Sequence, residues 1–264
     1  MKDAPASIDK LVWIMSLLRD PEQGCPWDLK QNFKSIVPHT LEEAFEVAEA
    51  IETNDYQELE KELGDLLFQI VFYARLGQEQ NKFDFSDVVE AICEKLIRRH
   101  PHVFAQEQVT DVDHVLVNWE NEKAQERLAK NQQRSVLDDI PNALPALSQA
   151  AKIQKRCAHI GFDWDNINDV LAKVKEEIEE VEAELNADTI DADLVNEEIG
   201  DLLFAVVNLA RHAKQDPEQL LRQASRKFTK RFQFIEQHHF DNELDIKKST
   251  IEYLESLWLT AKAQ

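Results

Sequence analysis

Glycine is scarce in this chain, with five residues in 264. Cysteine occurs three times, as Cys25, Cys93 and Cys157, far apart and without a CxxC pair. No disulfide framework can be read from that spacing, so a reducing compartment is expected, with each thiol serving as a small core hydrophobe. Positive charge is in deficit too. Thirty Lys and Arg stand against 51 Asp and Glu, for a formal net charge of −21. That balance disfavours general affinity for a nucleic-acid polymer or an anionic membrane, because such binding rests on neutralising phosphates with cations. A small anion held by a local basic cluster, or through a metal, stays open. Long apolar runs are missing: the longest, Leu66 to Ala74, is interrupted by Gln69 and is too short to span a bilayer. The opening residues MKDAPASIDK carry no apolar signal segment. Together these absences predict a soluble cytoplasmic protein with no membrane partner.

What is present is helical pattern. Apolar residues recur at i, i+3, i+4 and i+7 through most of the chain, and no convincing strand alternation competes with them. Val170, Val174, Ile178, Val181 and Leu185 form one expected packing stripe, and Leu63, Leu66, Leu67, Ile70, Val71 and Ala74 a second, broad enough to sit inside a bundle. Thr40 ahead of LEEAFEVAEAI, with Glu43 three residues on, reads as a helix start with a capping box. A hydrophobic content of 43% is ample for one large or two ordinary domains.

The chain writes one segment twice. Glu62 to Arg75 reads ELGDLLFQIVFYAR and Glu198 to Arg211 reads EIGDLLFAVVNLAR, identical at nine of fourteen positions. Further landmarks recur in the same order. Gly24-Cys-Pro-Trp27-Asp28 answers Gly161-Phe-Asp-Trp164-Asp165, and Glu42-Glu43-Ala-Phe-Glu46 answers Glu176-Glu177-Ile-Glu-Glu180. Lys95 to Arg99 answers Lys227 to Arg231, and Trp119-xxx-Lys123 answers Trp258-xxx-Lys262. The expectation is an all-α fold built as a tandem repeat of two helical-bundle modules, 1–128 and 146–264, joined by a polar linker at 129–145 that ends near Pro141 and Pro145.

The acids carry the chemistry. Glu177 and Glu180 share one helix face, as do Glu198 and Asp201 on the next helix, so four carboxylates are expected to converge beside the packing stripes. Like charges that close repel, so such a cluster persists only when protonated or neutralised by cations. Oxygen donors with no paired histidine or thiolate suit Mg²⁺, with Mn²⁺ as a substitute. Taken alone, EEIEEVEAE also fits a solvated acidic face. The repeat argues against that, because Glu43, Glu46, Glu62 and Asp65 reproduce the same four positions while neighbouring acids do not recur. Gly64 and Gly200, each one residue before the Asp, suggest close approach of a backbone or a ligand, since a glycine inside a helix costs about 1 kcal/mol relative to alanine.

Arg222, Arg226, Lys227, Lys230 and Arg231 crowd five cations into ten residues. Beside a metal-carboxylate site they suit a triphosphate, whose remaining oxygens need Arg or Lys donors. Lys227 and Arg231 can reach one ligand, and Trp258 with Lys262 offers a ring for stacking and a further cation. Lys173, one turn before Glu177, could contact phosphate; its counterpart in the first copy is His39, a weaker and pH-dependent cation.

EExxE, then ExxD, then KxxxR, present twice, resembles the MazG family of nucleoside triphosphate pyrophosphohydrolases in the all-α NTP pyrophosphatase superfamily. The resemblance spans nearly the whole chain. It implies a Mg²⁺-dependent hydrolase that forms a homodimer and converts nucleoside triphosphates, ATP among them, to monophosphate and pyrophosphate with broad base tolerance. It implies metal ligands at Glu177, Glu180, Glu198 and Asp201, and nucleotide contacts from Lys173, Lys227, Arg231, Trp258 and Lys262. Glu43, Glu46, Glu62, Asp65, Lys95, Arg99, Trp119 and Lys123 would form the equivalent set in the first copy. The first copy has His39 for Lys173 and sets Arg98, Arg99, His100 and His102 around a proline, so the second copy is expected to be the main catalytic site. The first is then a weaker site, or a dimerisation and regulatory module. Rival readings are a non-enzymatic acidic helical scaffold, which leaves the repeated KxxxR and WxxxK unexplained, and a carboxylate-bridged di-iron bundle. The latter needs two Glu-x-x-His motifs, and only Glu236 to His239 has that spacing.

Overall fold

The computed structural model describes residue 2 and residues 5–105, 111, 115, 118, 119, 121–123, 125, 126 and 135–263. Every regular element among them is helical. The chain divides into two compact units, Met1–Lys123 and Ala124–Gln264.

The first unit holds α1 (Ile8–Leu18), α2 (Pro26–Lys30), α3 (Phe33–Thr53), α4 (Tyr56–Glu79), α5 (Phe85–Arg99) and the single turn α6 (Pro101–Phe104). Its backbone is α3 and α4, which pack along their length as a hairpin. Asn54, in the left-handed region at φ 59°, closes α3, and Asp55 caps α4 through the amides of Gln57 and Glu58. α1 packs on α4. Met15, Ile36, Val71, Phe72 and Leu76 form the core, with Phe33, Phe68 and Tyr73 packed around it. Arg19 is buried nearby and grips the Glu79 carboxylate with two hydrogen bonds of 2.9 and 2.6 Å.

α3 begins earlier than the Thr40 signal suggests. Asn32 accepts from the Lys34 and Ser35 amides while the Ser35 hydroxyl accepts from the Asn32 amide, a complete capping box eight residues upstream. The helix then runs through Pro38, which gives up one backbone donor near the first turns. Thr40 sits in the helix interior, its hydroxyl bonded to the Ile36 carbonyl and the Tyr73 hydroxyl.

The second unit holds α7 (Ala146–His159), α8 (Ile167–Leu185), α9 (Ala192–His212), α10 (Pro217–Asp241), a 3₁₀ turn (Ile246–Lys248) and α11 (Ile251–Lys262). α8 and α9 repeat the α3–α4 pairing, α7 packs on α9 and α10, and α11 packs on α10. Asn166, Asp191, Asp216 and Thr250 cap these helices through backbone amides. Of the segment read as a linker, residues 129–134 lie outside the described residues. Within 135–145, the carbonyls of Val136 and Asp138 accept hydrogen bonds from Arg156 on α7.

Three expectations need correction. None of the cysteines is in the core: Cys93 is exposed, and Cys25 and Cys157 are half-buried. The packing stripe of α8 is rotated from the one read in sequence, because its buried positions are Val170, Val174 and Glu177 while Ile178 and Leu185 are exposed. An acid, not the neighbouring isoleucine, therefore occupies the inward position of the third turn. Finally, a Cβ built at Gly64 or Gly200 would meet no atom within 4 Å. Among the described residues no backbone from another element approaches these glycines, so packing within the chain does not account for their recurrence.

Candidate functional site

Glu177 is 5% exposed, and Lys173, one turn earlier, reaches its Oε1 at 2.7 Å and the Oε1 of Glu176 at 2.9 Å. These bonds raise the lysine above its ordinary value, so the ammonium stays charged. Across the helix pair, oxygens of Glu177, Glu180 and Glu198 lie within 4.8 Å of one another. Burial, followed by repulsion from Glu177, raises the Glu180 carboxyl against the pull of Lys173. Burial, then Glu180, Asp201 and Glu177, raises Glu198. Asp201 stands outside the tightest group, within the field of Glu198. Four carboxylates with one lysine leave a surplus of negative charge, and their hard oxygens can hold a divalent cation.

The first unit repeats the grouping with Glu43, Glu62 and Asp65. Burial raises Glu43, followed by Asp65 and Glu46; burial and then Glu46 raise Glu62. The lysine is missing. His39 stands 3.7 Å from Glu42 and packs edge-on against Trp27 at 5.8 Å, while Gln69 reaches Glu43 at 3.4 Å.

A cavity of about 210 Å³ opens beside the carboxylates of the second unit. Lys173, Glu177 and Asp201 contribute to its lining, and Phe162, Trp164 and Phe204 supply rings. Asp163 in the loop before α8 is tied to the end of α9. Arg211 donates to both its oxygens, one at 2.9 Å, and His212 adds a 2.9 Å contact. Burial opposes ionisation of Asp163, but these hydrogen bonds override it and hold the carboxyl down to about 2.

Lys227, Arg231, Trp258 and Lys262 do not line that cavity. Arg231 lies over the Trp258 ring at 5.4 Å, with Phe228 against the same ring at 5.0 Å. This cation–π contact joins α10 to α11 and fixes the guanidinium. Lys227 and Lys262 are exposed. In the first unit Lys95 is exposed, and the Trp119 indole N–H donates to the Arg99 carbonyl at 2.8 Å while its ring meets His100 at 5.0 Å. Here α5 stops at Arg99, whereas α10 runs unbroken through Arg231 to Asp241. Lys123 closes this first-copy set at the end of its compact unit.

A model of the MazG nucleotide pyrophosphohydrolase domain matches residues 31–104 and 166–240. The chain belongs to the MazG family. Both matched stretches contain their full EExxE and ExxD acids, so the tandem repeat is a tandem of MazG domains. The chain is 50% identical to a nucleoside triphosphate pyrophosphohydrolase of Escherichia coli strain K12, over 97% of each chain. It is 40% identical to the nucleoside triphosphate pyrophosphohydrolase/pyrophosphatase MazG of Thermotoga maritima, over 99% of this chain and 98% of that one. It is also 41% identical to half of the uncharacterised protein YabN of Bacillus subtilis.

In this MazG chain the sequence pattern missed the cavity. Its signal lies in how the two copies of the fourteen-residue segment differ. Gln69 and Phe72 of the first copy stand where the second has Ala205 and Asn208, and both latter residues line the cavity. His239, the histidine of the single Glu-x-x-His, is buried and held between the Ile235 carbonyl and the Ser249 hydroxyl, which leaves it no role as a metal ligand. No helix among the described residues is long and apolar enough to cross a membrane.

Proposed function

We propose that the chain is a nucleoside triphosphate pyrophosphohydrolase whose second domain carries the main catalytic site. The observation that carries this reading is the convergence of Glu177, Glu180 and Glu198 oxygens within 4.8 Å, beside Lys173 and an open cavity, in a MazG domain. Glu177, Glu180, Glu198 and Asp201 hold the metal. Lys173, Lys227, Arg231, Trp258 and Lys262 hold the nucleotide, with Trp258 backing the Arg231 guanidinium. Mg²⁺, with Mn²⁺ as a substitute, supplies charge neutralisation and a polarised water there when bound.

In the reaction, water adds to the α-phosphorus of a nucleoside triphosphate, ATP included, and the bond from that phosphorus to the bridging oxygen breaks. A nucleoside monophosphate and pyrophosphate leave with release of one proton. Lys173 orients Glu177 through its 2.7 Å contact, while Arg231 and Lys227 face the charge that grows on the departing pyrophosphate. Glu43, Glu46, Glu62, Asp65, Lys95, Arg99, Trp119 and Lys123 form a weaker or regulatory site, because His39 does not replace the permanent cation of Lys173. The modules span 1–128 and 146–264, with 129–145 between them. Exposed Leu171, Ile178 and Leu185 on α8, with Ile199, Leu203 and Val206 on α9, favour a homodimer in the cytoplasm.

The test is product analysis over a panel of ribo- and deoxynucleoside triphosphates with Mg²⁺, scoring pyrophosphate against orthophosphate. Pyrophosphate is expected from most of the panel, lost by at least about 100-fold in Glu180→Ala and far less affected in Glu46→Ala. Orthophosphate as first product rejects the assigned bond cleavage, and equal loss in the two variants rejects the division between copies.

A further inference from the structure

A second cavity, of about 240 Å³, lies in the first domain between α1, α4 and the start of α5, and none of the acids or cations assigned to either nucleotide site lines it. Its cause is topological. α1 packs on α4, whereas its counterpart α7 packs on both α9 and α10, so the first helix of this domain leaves a wedge open towards α5. The bottom of the wedge is backed by core residues, Met15, Val71 and Ala74, with Val12 and Phe85 beside them. An apolar group that enters is taken out of water against the core of the domain.

The charges around this cavity are unevenly paired. Arg75 corresponds to Arg211, which Asp163 holds in the second domain, but Pro26 stands in the place of Asp163, so Arg75 lacks that partner. It turns to Glu79 at 2.9 Å, and the same carboxylate already accepts two hydrogen bonds from Arg19. Burial opposes ionisation of Glu79, yet the two arginines override it and hold the carboxyl below its ordinary value. Two guanidinium groups therefore share one carboxylate. Arg75 Nη1 donates to the neutral Gln78 amide at 3.0 Å, and its Nη2 has no acceptor among the described residues. Negative charge lines the cavity as well. Asp9, in the first turn of α1, has no hydrogen-bond partner among the described residues. Asp84 caps α5 with one oxygen, through the Ser86 and Asp87 amides, and leaves the other unbonded. Arg19 and Arg75 against Glu79, Asp9 and Asp84 make two positive charges against three negative, a balance that disfavours a phosphate dianion.

We infer that this cavity binds a free α-amino acid with an aliphatic side chain, its carboxylate on the Nη2 edge of Arg75, its ammonium taken by the aspartates and its side chain against Met15 and Val71. Such a molecule carries the three groups that the lining asks for and adds no net charge. A volume of about 240 Å³ falls below the roughly 300–1,000 Å³ of sites for drug-sized ligands, which suits a ligand this small. Charge-assisted hydrogen bonds at both ends make the two ionic groups the main determinants of binding. The second domain does not repeat the arrangement, since Asp163 and Asn208 engage the Arg211 guanidinium. The site needs neither metal nor nucleotide and stands apart from the hydrolase reading.

Isothermal titration calorimetry of the full chain, without metal or nucleotide, reads the binding of L-leucine, L-isoleucine, L-valine and L-methionine. The tightest of them is compared with the amine that lacks its carboxylate and the acid that lacks its ammonium. At least one amino acid is expected to bind at one site per chain with a Kd of about 1 mM or tighter, and both analogues about ten-fold more weakly or less. Asp9→Asn and Arg75→Gln are each expected to weaken binding about ten-fold, and Ser16→Leu, which adds bulk to the lining, to abolish it. Scanning calorimetry checks that each variant is folded; where Arg75→Gln disturbs Glu79 and fails to fold, the exposed Asp9 decides. No binding by any of the four up to about 10 mM overturns the proposal. So does an analogue that binds as tightly as its amino acid, and so does binding left unchanged by both Asp9→Asn and Ser16→Leu. Pyrophosphate release is not read here, so a failure of the hydrolase reading and a failure of this one are separate results.

Discussion

Lys173 and Glu177 stand one turn apart on α8 with Nζ 2.7 Å from Oε1, and the carboxylate is the most buried acid of its cluster. The lysine is the built-in counter-charge of a site that otherwise gathers repelling groups. Its first-copy counterpart, His39, meets Glu42 instead and leaves Glu43 without a permanent cation.

Removing that counter-charge exposes the cost it covers. Lys173→Met is expected to lower the melting temperature of metal-free protein by roughly 3 °C, the shift that ~1 kcal/mol produces in a protein of this size. It is also expected to enlarge the upward shift on adding Mn²⁺, because the cation then neutralises what the lysine did. Differential scanning calorimetry with and without Mn²⁺ reads both effects.

The raised carboxyls of Glu180 and Glu198 fix a sign. Both lie above their ordinary 4.5 in the folded chain, so their ionisation weighs against folding. That cost is absent below the unfolded value and grows as pH rises through the folded one. Glu180→Gln/Glu198→Gln should therefore melt higher than the parent at pH 8 in metal-free buffer and equal it at pH 4. The same variant should lose the stabilisation that Mn²⁺ gives the parent. A variant less stable at pH 8 would contradict the electrostatic account.

Asp163 works in the opposite sense. Its carboxyl drops from 3.8 to about 2 through Arg211 and His212, so its ionised form favours the fold above pH 3.8, and that contribution fades as pH falls towards 2. Asp163→Asn should lower the urea midpoint at pH 7, with the gap to the parent narrowing at pH 3. An equal gap at both values would show that packing, and not charge, holds this loop.

Phe72 tests the closed core of the first domain. Fully buried among Met15, Ile36, Val71 and Leu76, it should cost about 3–5 kcal/mol as Phe72→Ala, measured by urea unfolding. Pyrophosphate release at 25 °C, attributed to the other domain, should be kept in whatever fraction stays folded.

Much of the candidate site was legible before any coordinates. Helices follow from period, and the four-acid sets follow from spacing, because positions three apart on a helix face one way in any context. Exact boundaries followed less well. Thr40 looks like a cap in isolation, yet Asn32 and Ser35 close a box upstream and the helix passes through. Glu177 looked like a flanking acid because its neighbour Ile178 completes an apolar stripe, while rotation of α8 against α9 buries the acid and exposes the isoleucine.

The order of residues by itself determined an all-helical chain written twice, with carboxylates and cations at matched places, since local hydrogen-bond periodicity and duplicated spacing need no partner from elsewhere. Only the tertiary structure decided that α7 brings Gln154 against α9, that the Trp164 loop is tied to Arg211, and that an open cavity results in one domain where Phe72 fills the other. Those are contacts across 48 to 50 positions of chain, and side-chain volume at one helix crossing decides whether the space between helices stays empty or is filled.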